Sequence, residues 1–396
     1  PSMGPALAAA HVSPGGGAIA PRTLGIAAVA SAIGLAAALI AEMLQHSLAL
    51  VTNLAFFHRW SFEGASPADN QLGGWVVLVP VAGALLVGLM ARYGSKAIRG
   101  HGIPEAMEQV LFNESRIPAR VLFMKPLSAV VAIGTGGPFG AEGPIIATGG
   151  ALGSLVGQFA KITAEERKIL LASGAAAGMS ATFGSPVAAV LLAIELLLFE
   201  YRARSLVPVA FAACTAAAVR IALVGTAPAF SVGVLAQPGA GAIFAYVMVG
   251  AIMGLLAVGV TKAVYAVEDT FERLPIHWMW WPALGAIPVG VIGIVAPRTM
   301  GVGYSNIEQM VSGELAGTAL FTLCAFKLVS WLFSLGSGTS GGTLAPLFTV
   351  GGGAGAAVAG LFAVLAPHAG IDPRLGQLAI RQILHNLRAQ GGVPKA

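Results

Sequence analysis

The chain has 396 residues, of which 56 % are hydrophobic and only 10 % charged, with a formal net charge of +5. A soluble domain carries about 25 % charged residues, so this composition excludes a soluble enzyme. The positive charge is scattered over loops rather than gathered in a stripe, which suits a membrane-surface or anion-handling protein and argues against a nucleic-acid binder.

In chain order, residues 1–22 are rich in Ala, Gly and Pro and are predicted to be a flexible N-terminal segment. They lack the basic start and clean apolar block of a signal peptide. Uncharged runs then recur at 23–41, 70–91, 143–160, 169–194, 221–261, 274–297 and 328–371. Several reach the roughly 20 apolar residues a helix needs to cross a bilayer, so the expected fold is all-α and multispan. The membrane domain is predicted over 23–371, in two halves of about 24–204 and 206–366. The tail 372–396, with Arg374, Arg381, His385 and Arg388, does not read as a span and is expected on the membrane surface or disordered. Arg92, Lys96 and Arg99, and again Arg202 and Arg204, follow apolar runs; the positive-inside rule places both loops in the cytoplasm. Cys214 and Cys324, the two cysteines, lie in apolar surroundings and exclude a disulfide framework or a cysteine metal site.

Three segments carry a sharper signal. Gly100-His101-Gly102-Ile103-Pro104-Glu105, Gly140-Ala141-Glu142-Gly143-Pro144 and Gly342-Thr343-Leu344-Ala345-Pro346 each pass from glycine into a helix marked by proline. Glycine permits an unusual backbone path, and proline costs nothing in the first helical turn. The second and third belong to one cassette repeated 202 residues apart, with Gly134, Gly136, Gly140 and Pro144 matching Gly336, Gly338, Gly342 and Pro346. The same offset pairs Lys125 with Lys327 and Ser128 with Ser330. Paired, Gly/Pro-broken apolar segments in two halves mark a transporter-type repeat with its site where the broken helices meet. A helix start presents unpaired N–H groups and partial positive charge. Three aimed at one point would make an anion site whose dipoles replace hydration without trapping the ion. Glu142 is a lone carboxylate in an otherwise uncharged stretch, and an intramembrane carboxylate is a functional candidate by default. Its charged form would take the place of an anion at the helix start, and protonation would release it. His101 either donates an N–H to the anion or bonds a neighbouring carbonyl as structure.

The order Gly-x-Gly-Ile-Pro, Gly-x-Glu-Gly-Pro and Gly-x-x-x-Pro, with Ser185-Pro186 leading to Leu191-Leu-Ala-Ile-Glu195, resembles the CLC family of chloride channels and proton-coupled chloride transporters. The resemblance covers about residues 25–370. It implies an inverted-repeat fold with broken and re-entrant helices, and a homodimer with a pore in each subunit. It also implies residence in the lipid bilayer of a bacterial inner membrane. By this resemblance Glu142 is the gating glutamate. His101, Gly102, Ile103 and Pro104, with Ala141, Glu142, Gly143, Thr343 and Leu344, line the anion path, and Glu195 lies on a possible proton route. Chloride is then the substrate and no cofactor is implied.

The departures are specific. His101 stands where the family has a serine, Ala141 where it has a basic residue, and Leu344 where an aromatic is common. Leu196 falls where proton-coupled bacterial members carry a second glutamate as inner proton acceptor. The family's tyrosine on a closing helix has no counterpart here, the last tyrosine being Tyr304, and the C-terminus is short for the family. The expected function is transport of chloride or a similar small monovalent anion, channel-like or weakly proton-coupled. Stoichiometric chloride/proton exchange and a preference for fluoride or nitrate remain alternatives. A membrane enzyme using His101 and Glu142, or a non-conducting scaffold, are readings from other classes. No His-Glu-x-x-His or phosphate-loop spacing supports an enzyme.

Overall fold

The computed structural model describes residues 21–160, 162–230, 238–366, 368 and 370–374. The expectations for residues 1–20 and 375–396 lie outside them. The fold is all-α. The helices are α1 (Pro21–Phe57), α2 (Leu78–Tyr93), α3 (Ile103–Phe112), α4 (Ala119–Gly134), α5 (Glu142–Phe159), α6 (Ala164–Phe183) and α7 (Pro186–Ala193). They continue with α8 (Ala203–Val224), α9 (Ala240–Glu272), α10 (Trp281–Val295), α11 (Tyr304–Ser312), α12 (Gly317–Gly336) and α13 (Leu344–Leu365). Among the described residues seven helices are long and apolar enough to span a membrane.

Local chemistry explains where the long apolar runs break. The run 169–194 is cut by Gly184, which ends α6 in the left-handed region at φ 65°, and by Pro186, which restarts the chain as α7. At its other end α6 is held by a capping box. Thr163 Oγ1 accepts from the Glu166 amide at 3.2 Å, and the Glu166 carboxylate accepts from the Thr163 amide at 2.8 Å. Arg22 at the base of α1 donates to the same carboxylate at 2.8 Å. α7 loosens into a π-turn over Ile194–Leu198, stopped by Phe199 at φ 54°.

Small residues set the packing. A Cβ on Gly149 would lie 2.2 Å from the Gly174 carbonyl, and one on Gly153 would lie 2.0 Å from that of Leu170, so α5 and α6 touch backbone to backbone. Outward faces carry Leu35, Leu39 and Met43 on α1 and Val187 and Leu191 on α7, as expected of helices with lipid or another subunit for a neighbour. The start of α2 packs beside the end of α1 through Phe56, Val76 and Val79. Arg92, Lys96 and Arg99 lie at and beyond the end of α2 that is away from this contact.

The two repeat copies meet on an inverted axis. Gly140 and Gly342 exchange both backbone hydrogen bonds at 2.9 Å in an antiparallel bridge. On either side of it the same devices recur. Lys125 Nζ donates to the carbonyls of Ile98 and Gly100, both at 2.9 Å, ahead of α3. Lys327 Nζ donates to those of Thr299 at 2.8 Å and Gly301 at 2.7 Å, ahead of α11. Met300 lies over Gly136, and Arg99 lies over Gly338. Gly100-His101-Gly102-Ile103 thus has a mate in Gly301-Val302-Gly303-Tyr304, shifted by 201 rather than 202 positions, which a gap-free comparison of the cassettes passes over. The symmetry also accounts for one orphaned group. Ser128 donates to Ser340 at 3.0 Å, but the position mating Ser340 is Pro138, so the buried hydroxyl of Ser330 makes no hydrogen bond among the described residues.

Candidate anion site and its carboxylate plug

The three glycine-to-proline segments converge. A Cβ on Gly143 would sit 2.2 Å from the His101 carbonyl and 2.7 Å from the Gly342 Cα. One on Gly102 would sit 2.5 Å from the Gly143 carbonyl, and one on Gly342 would sit 2.7 Å from the Gly143 nitrogen. The starts of α3, α5 and α13 therefore lie within backbone contact, an approach that only residues without a Cβ permit. Gly102 also takes φ 99°, closed to ordinary L side chains.

Glu142 lies at this junction, fully buried. Its Oε2 rests over Gly140, where a Cβ would come within 1.8 Å of it and 3.1 Å of the Ala345 Cβ. The backbone amides of Glu142 itself and of Ala345 at the start of α13 face the carboxylate, but among the described residues Oε2 has no hydrogen-bond partner of ordinary geometry. Its Oε1 accepts a hydrogen bond from the Tyr304 hydroxyl at 2.8 Å. Lys327 lies behind this contact, with Nζ 3.6 Å from where a Cβ on Gly303 would be. The carboxylate of one half thus sits among the helix starts α5, α11 and α13, where partial positive charge accumulates.

The other sequence candidates fall around this point with different roles. The amides of His101 and Gly102 are occupied, donating to the two Glu105 carboxylate oxygens at 2.9 and 2.6 Å. Glu105 thereby caps α3 from its own first turn, and these two N–H groups are taken. Pro104 has no N–H and serves as a first-turn residue of α3. Ala141 and Gly143 are buried beside Glu142, and Thr343 is the buried residue preceding α13. Leu344 packs in a cluster with Ile103 and Ile146. Glu195 sits apart, half-buried on the π-turn after α7.

Tyr304 was not legible as a site residue. It reaches Glu142 from the start of α11. The signal available in the sequence was the second Gly-x-Gly at Gly301 and Gly303, the mate of the α3 motif.

A family profile described as voltage gated chloride channel matches residues 82–379. The H(+)/Cl(-) exchange transporter ClcA of Salmonella paratyphi A is 31 % identical over 314 residues, covering 75 % of this chain and 65 % of that protein. The putative chloride channel protein ClcB-like of Ralstonia nicotianae is 25 % identical over 333 residues, covering 83 % and 77 %. Chloride channel protein CLC-f of Arabidopsis thaliana is 27 % identical over 336 residues, and the match spans 41 % of its length. Among solved structures, a slow cyanobacterial Cl-/H+ antiporter superposes with TM-score 0.79 at 22 % identity, over 93 % of this chain and 86 % of that one. A CLC-type fluoride/proton antiporter superposes with TM-score 0.76 at 19 % identity, over 93 % and 88 %. The profile spans well over half of the sequence, and this multi-pass membrane protein belongs to the voltage-gated chloride channel family.

Proposed function

We propose that the protein carries chloride or a similar small monovalent anion across the membrane through the junction of α3, α5 and α13, with Glu142 as a carboxylate plug. The observation that carries this reading is the placement of a buried carboxylate among helix starts in contact with one another. Helix starts stabilise negative charge, and a carboxylate held there stands in for the anion it would admit. Taking up a proton removes the negative charge the site holds, so the side chain can leave and an anion can enter. The relatives include a putative chloride channel and an exchanger of chloride and protons, which supports the substrate class. We place the face bearing Arg92, Lys96 and Arg99 in the cytoplasm of a bacterial inner membrane, following the positive-inside rule, and two copies in the assembly.

The test is anion flux from proteoliposomes over a range of pH, across chloride, bromide, nitrate and fluoride. The wild-type protein is expected to dissipate a chloride gradient faster in acid. Glu142→Gln is expected to lose that pH dependence, because a neutral amide cannot exchange a proton. A protein that leaves every anion gradient intact, or a Glu142→Gln variant that keeps the wild-type pH profile, contradicts the reading.

A further inference from the structure

We propose that Tyr304 is the latch of the plug: its hydroxyl, brought in by α11, holds the Glu142 carboxylate in the anion position across the two repeat copies. The inference rests on the plug reading above and adds a positioning residue to it. Three observations carry it. The first is the 2.8 Å hydrogen bond from the Tyr304 hydroxyl to Glu142 Oε1, linking residues 162 positions apart. The second is that the other oxygen, Oε2, is buried with no hydrogen-bond partner among the described residues, so Tyr304 supplies a side-chain hydrogen bond that only Oε1 receives. The third is how the ring is held. Phe230 meets the Tyr304 ring edge-on at 6.1 Å, and Phe183 in turn lies 6.4 Å from Phe230. Phe183 ends α6 and Phe230 lies between α8 and α9, so the hydroxyl is aimed by parts of the chain outside the repeat cassettes.

The chemistry gives the latch a direction. A phenol donates strongly to a carboxylate and much less strongly to a neutral carboxyl. The latch therefore grips the plug when it is charged and eases when it takes up a proton. Among the described residues the titratable groups that bear on Glu142 are Tyr304 on α11 and Lys327 on α12, while His101 ahead of α3 reaches the same junction through its backbone carbonyl. Of these, Lys327 is committed to the carbonyls of Thr299 and Gly301. It also braces the loop from which Tyr304 projects.

The test is Tyr304→Phe, which keeps the ring in its aromatic setting and deletes the hydroxyl. Flux is measured in proteoliposomes against pH, in the wild-type and Glu142→Gln backgrounds. A hydrogen bond to a charged group that exists only in the plugged state is worth roughly tenfold or more in the opening equilibrium. Tyr304→Phe is therefore expected to raise anion flux at neutral pH about tenfold and to move the half-activation point to higher pH. In the Glu142→Gln background it is expected to change flux far less, since the neutral amide oxygen accepts from the phenol only weakly. Phe230→Leu, which loosens the ring without touching the carboxylate, is expected to move flux the same way by a smaller factor, and it serves as the probe if Tyr304→Phe fails to reach the membrane. Wild-type flux and pH profile in both variants overturns the latch, as does a Tyr304→Phe effect of equal size in the two backgrounds. A Glu142→Gln protein that itself keeps its pH dependence fails the plug reading instead, so the two failures are told apart.

Discussion

His101 stands two residues before a helix that enters the junction, and its carbonyl is pressed against Gly143. Its own amide is spent on Glu105, so whatever it offers an anion comes from the imidazole. Exchanging the imidazole for a hydroxyl leaves the backbone approach of α3, α5 and α13 untouched. His101→Ser is therefore expected to conduct while changing the order of preference among chloride, nitrate and fluoride, measured as relative flux rates. A folded but inactive variant, or one with unchanged selectivity, counts against a tuning role. Glu105 is a different case at the same scale. Its carboxylate satisfies two backbone donors beside Gly100 and Gly102. Glu105→Ala is expected to lower stability by about 1–3 kcal/mol through those stranded amides, read as a lower unfolding temperature in detergent. An unchanged melting point would show that water takes over the cap.

At the scale of elements, the site depends on how closely three helix starts approach. Of the glycines at the junction, Gly143 has little tolerance for added volume, because the His101 carbonyl and the Gly342 Cα it would strike are both backbone. Gly143→Ala is expected to cost about 1–3 kcal/mol by overpacking and to abolish flux even in protein that remains folded. Gly64→Ala, in open space within the loop after α1, is the matched control. The twin lysines act one layer out, each gathering the carbonyls that precede a helix start. Lys327→Met strands the Thr299 and Gly301 carbonyls and unsettles α11, so it is expected to lower stability and to raise leak flux, because Tyr304 loses its footing. Lys125→Met makes the equivalent change ahead of α3, which carries no latch, and is expected to lower stability without the leak. Equal leak in both variants would show that the asymmetry between the copies has no functional weight.

At the scale of the whole molecule the question is whether anion movement drives protons. A plug that titrates is not sufficient, since exchange also needs a relay from the plug to the cytoplasmic face. The position expected for an inner acceptor is Leu196, which is buried and holds no proton. Glu195 beside it lies on the π-turn, half-buried. One residue along a helical turn, α or π, points the side chain in a direction different from its neighbour's. Under an imposed chloride gradient the protein is accordingly expected to show little uphill proton movement. Stoichiometric proton pumping lost on Glu142→Gln would reverse that conclusion and place Glu195, or another acid, on the route.

Much of this architecture is legible in the sequence. The solvent could be read from the scarcity of charge, and the two cassettes from a repeat held in constant register. Glu142 stood out because a carboxylate in an apolar stretch has a cost that only a local partner or a function offsets. These are local or periodic properties, which a linear string carries in full. Other features waited on tertiary structure. The mating of Gly301 and Gly303 with Gly100 and Gly102 was hidden by a one-residue slip and by the lack of a proline at Ser305. Tyr304 and Glu142 are 162 positions apart, and no pattern of spacing joins residues so distant. Their contact exists because the copies fold back on each other at Gly140 and Gly342. A hydrogen bond of a few ångströms is then decided by the packing of α5, α11 and α13 together, which no single segment encodes.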